Sequence, residues 1–169
     1  MPIFKEQTLA CWGNVPAQRG LVARPERLRD LHAALTDVAA PTMISRGLGR
    51  SYGDASLNDG AVILHERLNR FIAFDPVSGL LECEAGVSLA EILDAFLPRG
   101  YFPSVTPGTK FVTLGGAVAA DVHGKNHHRV GSWCDAVTAI TLVTPAQGRV
   151  VVTPSDQPEL FWATAGGMG

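Results

Sequence analysis

Ser45 to Asp54 reads S-R-G-L-G-R-S-Y-G-D, setting Gly47, Gly49 and Gly53 in a G-x-G-x-x-x-G spacing directly after a short apolar run. Glycine takes positive φ at little cost, so such a stretch can turn successive main-chain N–H groups toward one point, an anion-binding nest. Arg46 and Arg50 add permanent positive charge. The spacing does not fit the dinucleotide fingerprint of Rossmann proteins, which needs G-x-G-x-x-G opening a helix whose third glycine packs on the strand. Ala55 to Gly60 instead carries Asn58, Asp59 and Gly60, a turn signal. Pyrophosphate is the anion such a loop suits, and a flavin dinucleotide is the leading candidate to carry it. A tight turn between two strands explains the same residues with no ligand.

The remaining composition narrows the function classes. A chain of 169 residues with 46% apolar content and a formal charge of −2 has the make-up of one globular domain with a sizeable core. The near-neutral balance, without a long lysine or arginine cluster, excludes a nucleic-acid backbone footprint. No apolar run approaches the roughly 20 residues of a spanning helix, and the first ten residues lack a secretory pattern. Cys11, Cys83 and Cys134 are odd in number and far apart, so buried thiols in a reducing compartment are expected rather than a disulfide framework or a zinc site. The expected location is cytoplasmic.

Helical spacing runs through Leu28, Leu31, Leu35 and Val38, with Pro25 expected at the first helical position and Pro41 beyond the end. Short apolar runs at Thr42–Ile44, Ala61–Leu64, Phe71–Phe74 and Leu80–Glu84 are bounded by turn residues, as strands are. Ser88 with Glu91 forms a capping box before the apolar stripe Leu89, Ile92, Leu93 and Phe96, and Pro98 and Gly100 end that helix. A buried strand is expected at Ala136–Val143, a hairpin turn at Gly148, its partner strand at Arg149–Thr153 and a short helix at Pro158–Ala163. Between the two patterns, Tyr101 to Gly116 is rich in proline and glycine and poor in charge, which places a subdomain boundary near residue 103.

A second chemical constellation follows: Pro107-Gly108-Thr109, then Thr113-Leu114-Gly115-Gly116-Ala117, then Ala120-Asp121-Val122-His123-Gly124-Lys125-Asn126-His127-His128. Its small residues would let main chain approach a planar ring closely; a helix–sheet packing interface explains them equally well. His123 and His127 stand at i and i+4, as in a zinc helix, but Gly124 occupies the place of the catalytic glutamate and no carboxylate lies between them. No metal is expected. His128 reads as a solvent-facing loop residue, whereas His123 follows an apolar run and is the histidine expected against a ligand.

Taken together and in order, Arg46 to Asp54, Pro107-Gly108-Thr109, Val112 to Ala117, His123 to His128 and Leu160-Phe161-Trp162-Ala163-Thr164 resemble the FAD-binding, PCMH-type domain of the vanillyl-alcohol oxidase superfamily. The resemblance extends from Trp12-Gly13 and Arg24-Pro25 to Gly166-Gly167, and H-G-K-N-H-H narrows it to the subgroup acting on polyprenylphosphoryl ribose. It implies an α+β fold of two α/β subdomains clasping FAD, with 1–103 as the first and 104–169 as a truncated second. A separate substrate domain would lie outside this chain, which is expected to be an N-terminal fragment.

Carried over by resemblance, Ser45, Arg46, Gly47, Leu48, Gly49, Arg50, Ser51, Tyr52, Gly53, Asp54 and Ala55 would wrap the pyrophosphate. Pro107, Gly108, Thr109, Thr113, Leu114, Gly115, Gly116, Ala117, Ala120, Asp121, Val122, His123 and Gly124 would run along the flavin. Where some relatives join a histidine covalently to the flavin this chain has Arg50, which stays protonated and cannot serve as that nucleophile, so non-covalent FAD is expected. His123 is an alternative attachment point, and in the subgroup its counterpart lies beside the flavin unattached.

Tyr52, His123 and Lys125 match positions facing flavin and substrate and are the catalytic candidates. The implied reaction is oxidation of a sugar's secondary alcohol by hydride transfer to FAD, which carries the redox chemistry. The 2′-hydroxyl of a polyprenylphosphoryl ribose is the leading substrate. An electron acceptor and a reductase partner complete the scheme, and a lipid substrate would bring the protein to a membrane. An alditol or aldonolactone oxidase-like enzyme is the alternative, as is a fragment that binds FAD without catalysis. The general base would come from the substrate domain.

Overall fold

Every residue of the A-V-I-L run Ala61–Leu64 is buried, none more than 2% exposed. A strand covered on both faces has no solvent-facing position to fill with polar residues, so a continuous apolar run suits it. In the computed structural model, which describes residues 4–168, this run is β4. Numbered in chain order, β1 is Lys5–Ala10, β2 is Ala17–Ala23, α1 is Leu28–Asp37 and β3 is Met43–Arg46. The sheet order is β1-β2-β4-β3, with β4 parallel to both neighbours and β1 antiparallel to β2. Val22, Val62 and Leu64 form a core cluster to which Leu9 and Ile44 add. Burial of each such side chain contributes about 1.5–3 kcal/mol.

α1 starts later than the spacing predicts. Its N-cap is Arg27, whose carbonyl accepts from Asp30 N and Leu31 N, so Pro25 lies in the lead-in rather than at the first helical position. The buried stripe is Leu31 and Ala34. β1 and β2 carry no expectation from the sequence. K-E-Q-T-L-A is mostly exposed, and its register with β2, Lys5 opposite Val22 and Ala10 opposite Ala17, comes from pairing along the sheet edge. β5 (Phe71–Phe74) and β6 (Leu81–Cys83) form a separate antiparallel pair. Arg70 holds its base together, its main-chain N and guanidinium donating to the two oxygens of Glu84 at 2.8 and 2.9 Å.

The chain divides into two compact units, one ending at Val87 and the other beginning at Ser88. The division precedes the 103/104 boundary expected from composition. Its physical origin is the attachment of α2 (Leu89–Phe96) to later residues: Leu89 N donates to Val112 O and Ala90 N to Lys110 O, both at 2.9 Å, and Ser88 bridges Thr113. The capping box is formed as expected, with Ser88 Oγ accepting from Glu91 N and Glu91 Oε2 accepting from Ser88 N. A short 3-10 turn, Leu97–Arg99, ends at Gly100 with φ +87.

The second unit continues with α3 (Leu114–Ala119), α4 (His127–Val130), β7 (Ile140–Thr144), β8 (Gly148–Val152) and α5 (Pro158–Thr164). The expected buried strand at Ala136–Val143 is corrected on two points. Cys134–Ala136 is a 3-10 turn whose Cys134 carbonyl accepts from Val137 N, so the strand starts only at Ile140. Among the described residues it pairs with β8 alone, which leaves its residues exposed or half-buried. Phe161 on α5 and Val152 on β8 are fully buried. Cys11 and Cys134 are buried, Cys83 is half-buried, and all three are free thiols.

Candidate cofactor-binding site

The glycine-rich loop leaves the end of β3 and returns at β4, in the first unit. No helix begins at Gly49, and the segment proceeds through turns, so the strand–helix arrangement of a Rossmann site is absent there. Gly49 has φ +66 and Gly53 φ +63, the left-handed conformations that a nest requires. Asn58 closes the far end, its Oδ1 accepting from Gly60 N at 2.6 Å, as the turn signal predicts.

The two arginines of the loop behave differently. Arg46 points inward: its guanidinium donates to Ser56 Oγ at 2.9 Å, Ser56 O at 3.2 Å and Ala10 O at 2.6 Å. Burial pushes its pKa below the ordinary arginine value, against the opposing pull of Glu66. A Cβ on Gly49 would strike that guanidinium, so glycine is needed there for space as well as for φ. Arg46 therefore shapes the loop from within.

Arg50 stacks on Trp12, its guanidinium carbon 4.4 Å from the ring centroid. Its Nε is buried, and among the described residues no hydrogen-bond partner reaches it. An unpaired buried N–H costs on the order of 1–3 kcal/mol, a cost that a hydrogen-bond acceptor reaching it would relieve. Tyr52, Gly53 and Asp54 are exposed, and Ser45 Oγ lies 3.1 Å from Nε2 of His65. Burial lowers the pKa of His65 from its ordinary value.

The second constellation lies in the unit that begins at Ser88. Thr113 is buried and caps α3, its Oγ1 accepting from Gly116 N at 3.2 Å. Ala117 is buried under the helix while Ala120 is exposed. Around Gly108, no atom would meet an added Cβ within 4 Å, so the main chain there is open to a neighbour. Asp121 has φ +39, and the chain then passes Val122 to the exposed His123 and Lys125.

His127 begins α4, so His123 lies outside the helix that the i and i+4 zinc reading needs. The His123 and His127 rings meet edge to face, centroids 5.4 Å apart, and His127 Nδ1 lies 3.0 Å from Gly124 O. Among the described residues no group of three or more His, Cys, Asp or Glu is placed to hold a metal ion. α4 itself was not foreseen. In the sequence only the ordered resemblance includes Trp12, because nothing local to it points to Arg50.

These features fit FAD: a nest of left-handed glycines beside an arginine with an unpaired N–H, and a small-residue segment with open main chain. The family model for the FAD binding domain matches residues 20–154. The decaprenylphosphoryl-beta-D-ribose oxidase of Mycolicibacterium smegmatis is 46% identical over 130 residues, 75% of this chain and 28% of that protein. An uncharacterized oxidoreductase of Rhodococcoides fascians is 30% identical over 164 residues, 95% of this chain and 37% of its own length. The mitochondrial L-galactono-1,4-lactone dehydrogenase 1 of Oryza sativa is 24% identical over 151 residues, covering 88% and 26%. The chain thus spans well under half of the relatives it matches. With an α+β fold and the cofactor FAD, the chain belongs to the FAD binding domain family of oxidoreductases.

Proposed function

We propose that this chain is the FAD-holding part of an oxidase acting on a secondary alcohol of a sugar, with a polyprenylphosphoryl ribose as the leading substrate. The observation that carries the reading is Arg50, whose Nε–H is buried and, among the described residues, without a hydrogen-bond partner, in a loop with left-handed glycines at 49 and 53. In this reading the main chain of Gly47 to Gly53, with Arg50, binds the pyrophosphate, while Arg46 keeps the loop in shape. Pro107 to Thr109 and Thr113 to Gly124 lie along the flavin, where glycines and alanines keep side chains out of the way of a flat ring. Tyr52, His123 and Lys125, all exposed, orient the substrate hydroxyl. When bound, FAD would supply the redox chemistry, serving as the acceptor for the hydride of the carbinol carbon.

Arg50 cannot form a covalent flavin link because it stays protonated, and His123 remains unattached beside the ring, so FAD is held non-covalently. A reductase acting on the keto product is the partner that fits this reaction. Work in the cytoplasm, at a membrane only through the lipid of the substrate, fits the same picture; among the described residues no helix is long and apolar enough to cross a membrane. Likeness to a lactone dehydrogenase motivates a second reading, an aldonolactone or alditol oxidase-like enzyme.

Purified full-length protein decides between them. It is expected to be yellow, to release FAD into the supernatant on acid precipitation, and to bleach anaerobically with polyprenylphosphoryl ribose. Colour retained by the precipitate overturns non-covalent binding. Bleaching by aldonolactones or alditols but not by the lipid-linked pentose selects the second reading, and bleaching by none leaves an FAD-binding protein without sugar oxidase activity.

A further inference from the structure

Asp121 occupies an unusual place for a residue with a side chain. α3 ends at Ala119, Ala120 is its C-cap, and the next residue has φ +39, the left-handed position that most helices fill with glycine or asparagine. Aspartate tolerates this conformation better than most residues, yet glycine would adopt it more freely. The carboxylate is what glycine would lack, and here it is used: Asp121 Oδ1 accepts from Cys134 N at 2.9 Å. The same turn is tied by main-chain bonds, Val122 N to Ala117 O at 3.0 Å and Trp133 N to Val122 O at 2.8 Å. Cys134 is buried, so this anchor sits on a fixed part of the unit. Only Val122 separates Asp121 from the exposed His123.

We propose that Asp121 is a positioning residue for His123: its left-handed backbone sets the direction in which the chain leaves α3, and its carboxylate locks that exit to the Cys134 turn. The inference rests on the reading of His123 as a residue that faces flavin and substrate. Its carboxylate is held below the ordinary range; burial works upward, and the Cys134 N–H, the Ser132 side chain and the nearby His123 outweigh it. The acceptor is thus ionised at neutral pH.

Asp121→Gly is the informative variant, because it suits φ +39 and removes only the carboxylate, while Asp121→Asn keeps an acceptor at the same place. In the full-length holoprotein, hydrogen exchange read at Val122, Trp133 and Cys134 is expected to speed up about tenfold or more in Asp121→Gly and to return to within about threefold of the parent in Asp121→Asn, with β7 and β8 unchanged. Flavin reduction by substrate, read at saturating FAD, should slow about tenfold in the glycine variant and recover in the asparagine variant. Unchanged exchange at those amides in Asp121→Gly overturns the proposal. Faster exchange with undiminished flavin reduction also overturns it, leaving Asp121 a purely structural anchor. Failure of the parent protein to bind FAD instead sinks the functional reading and with it the role toward His123, while the exchange arm still decides whether Asp121 holds the segment.

Discussion

The Arg50 guanidinium lies over the Trp12 ring at 4.4 Å, and the Trp12 main-chain N donates to Ser51 O at 3.1 Å, so the β1–β2 connection braces the glycine-rich loop at consecutive residues. Trp12 is half-exposed, which places the stacking at the weaker end of such interactions, about 0.5–1 kcal/mol. Trp12→Leu is therefore expected to weaken FAD binding about two- to fivefold. Arg50→Gln should weaken it more, about tenfold or greater, because a charge-assisted donor is lost. Titration with FAD and with riboflavin separates the cause: both substitutions should leave riboflavin affinity unchanged, since it lacks the pyrophosphate. Equal losses for both ligands would place Arg50 away from the phosphates.

Gly49 and Gly53 share a left-handed backbone and differ in their surroundings. An added Cβ meets the Arg46 guanidinium at Gly49, and nothing within 4 Å at Gly53. Alanine at either position incurs the conformational cost of about 1–2 kcal/mol. Only Gly49→Ala also overpacks the loop, for a total of about 2–5 kcal/mol. Equilibrium denaturation of the two variants should show that ordering, and Gly49→Ala should also loosen the Arg46 contacts to Ser56 and Ala10. Equal destabilisation would mean that Arg46 swings clear without cost.

His65 gives the protein a pH dependence of defined sign. Burial lowers its pKa from the ordinary 6.5. The unfolded chain then binds a proton at a pH where the folded chain does not, so stability falls as pH falls. The contribution of His65 is fully present above about 6.5 and is lost as the pH drops through that value and then through the lower folded one. Thermal unfolding measured between about pH 8 and pH 5 should show this loss, and His65→Gln, which cannot take up a proton, should flatten the curve in that window. An unchanged slope in the variant would assign the dependence to another group.

Local chemistry in the sequence was enough for several elements. The capping box of α2 lies within residues 88–91, β4 is apolar at every position, and β8 opens on a glycine at φ +66 directly after the hairpin turn. Each depends on neighbours in the chain, so each can be read from order alone. The family and the cofactor were legible through a resemblance carried by several short motifs in order, and the left-handed glycines because their φ freedom belongs to the residue itself.

Packing decided the rest. β1 is a mostly exposed edge strand, β2 lies between it and β4, a strand some forty residues on, and no periodicity in K-E-Q-T-L-A announces that edge. Arg46 and Arg50 look alike in sequence, yet one is drawn inward by Ser56 and Ala10 and the other is laid on Trp12, because the acceptors and the ring come from distant segments. Likewise Asp121 is an ordinary aspartate until Cys134 arrives thirteen residues later to use its carboxylate. The sequence by itself determined which residues can bend, cap and carry charge, since those are covalent and local properties. Which partner each polar group meets was decided only by the tertiary structure, because hydrogen bonds and ring contacts between remote segments exist only once the chain has closed on itself.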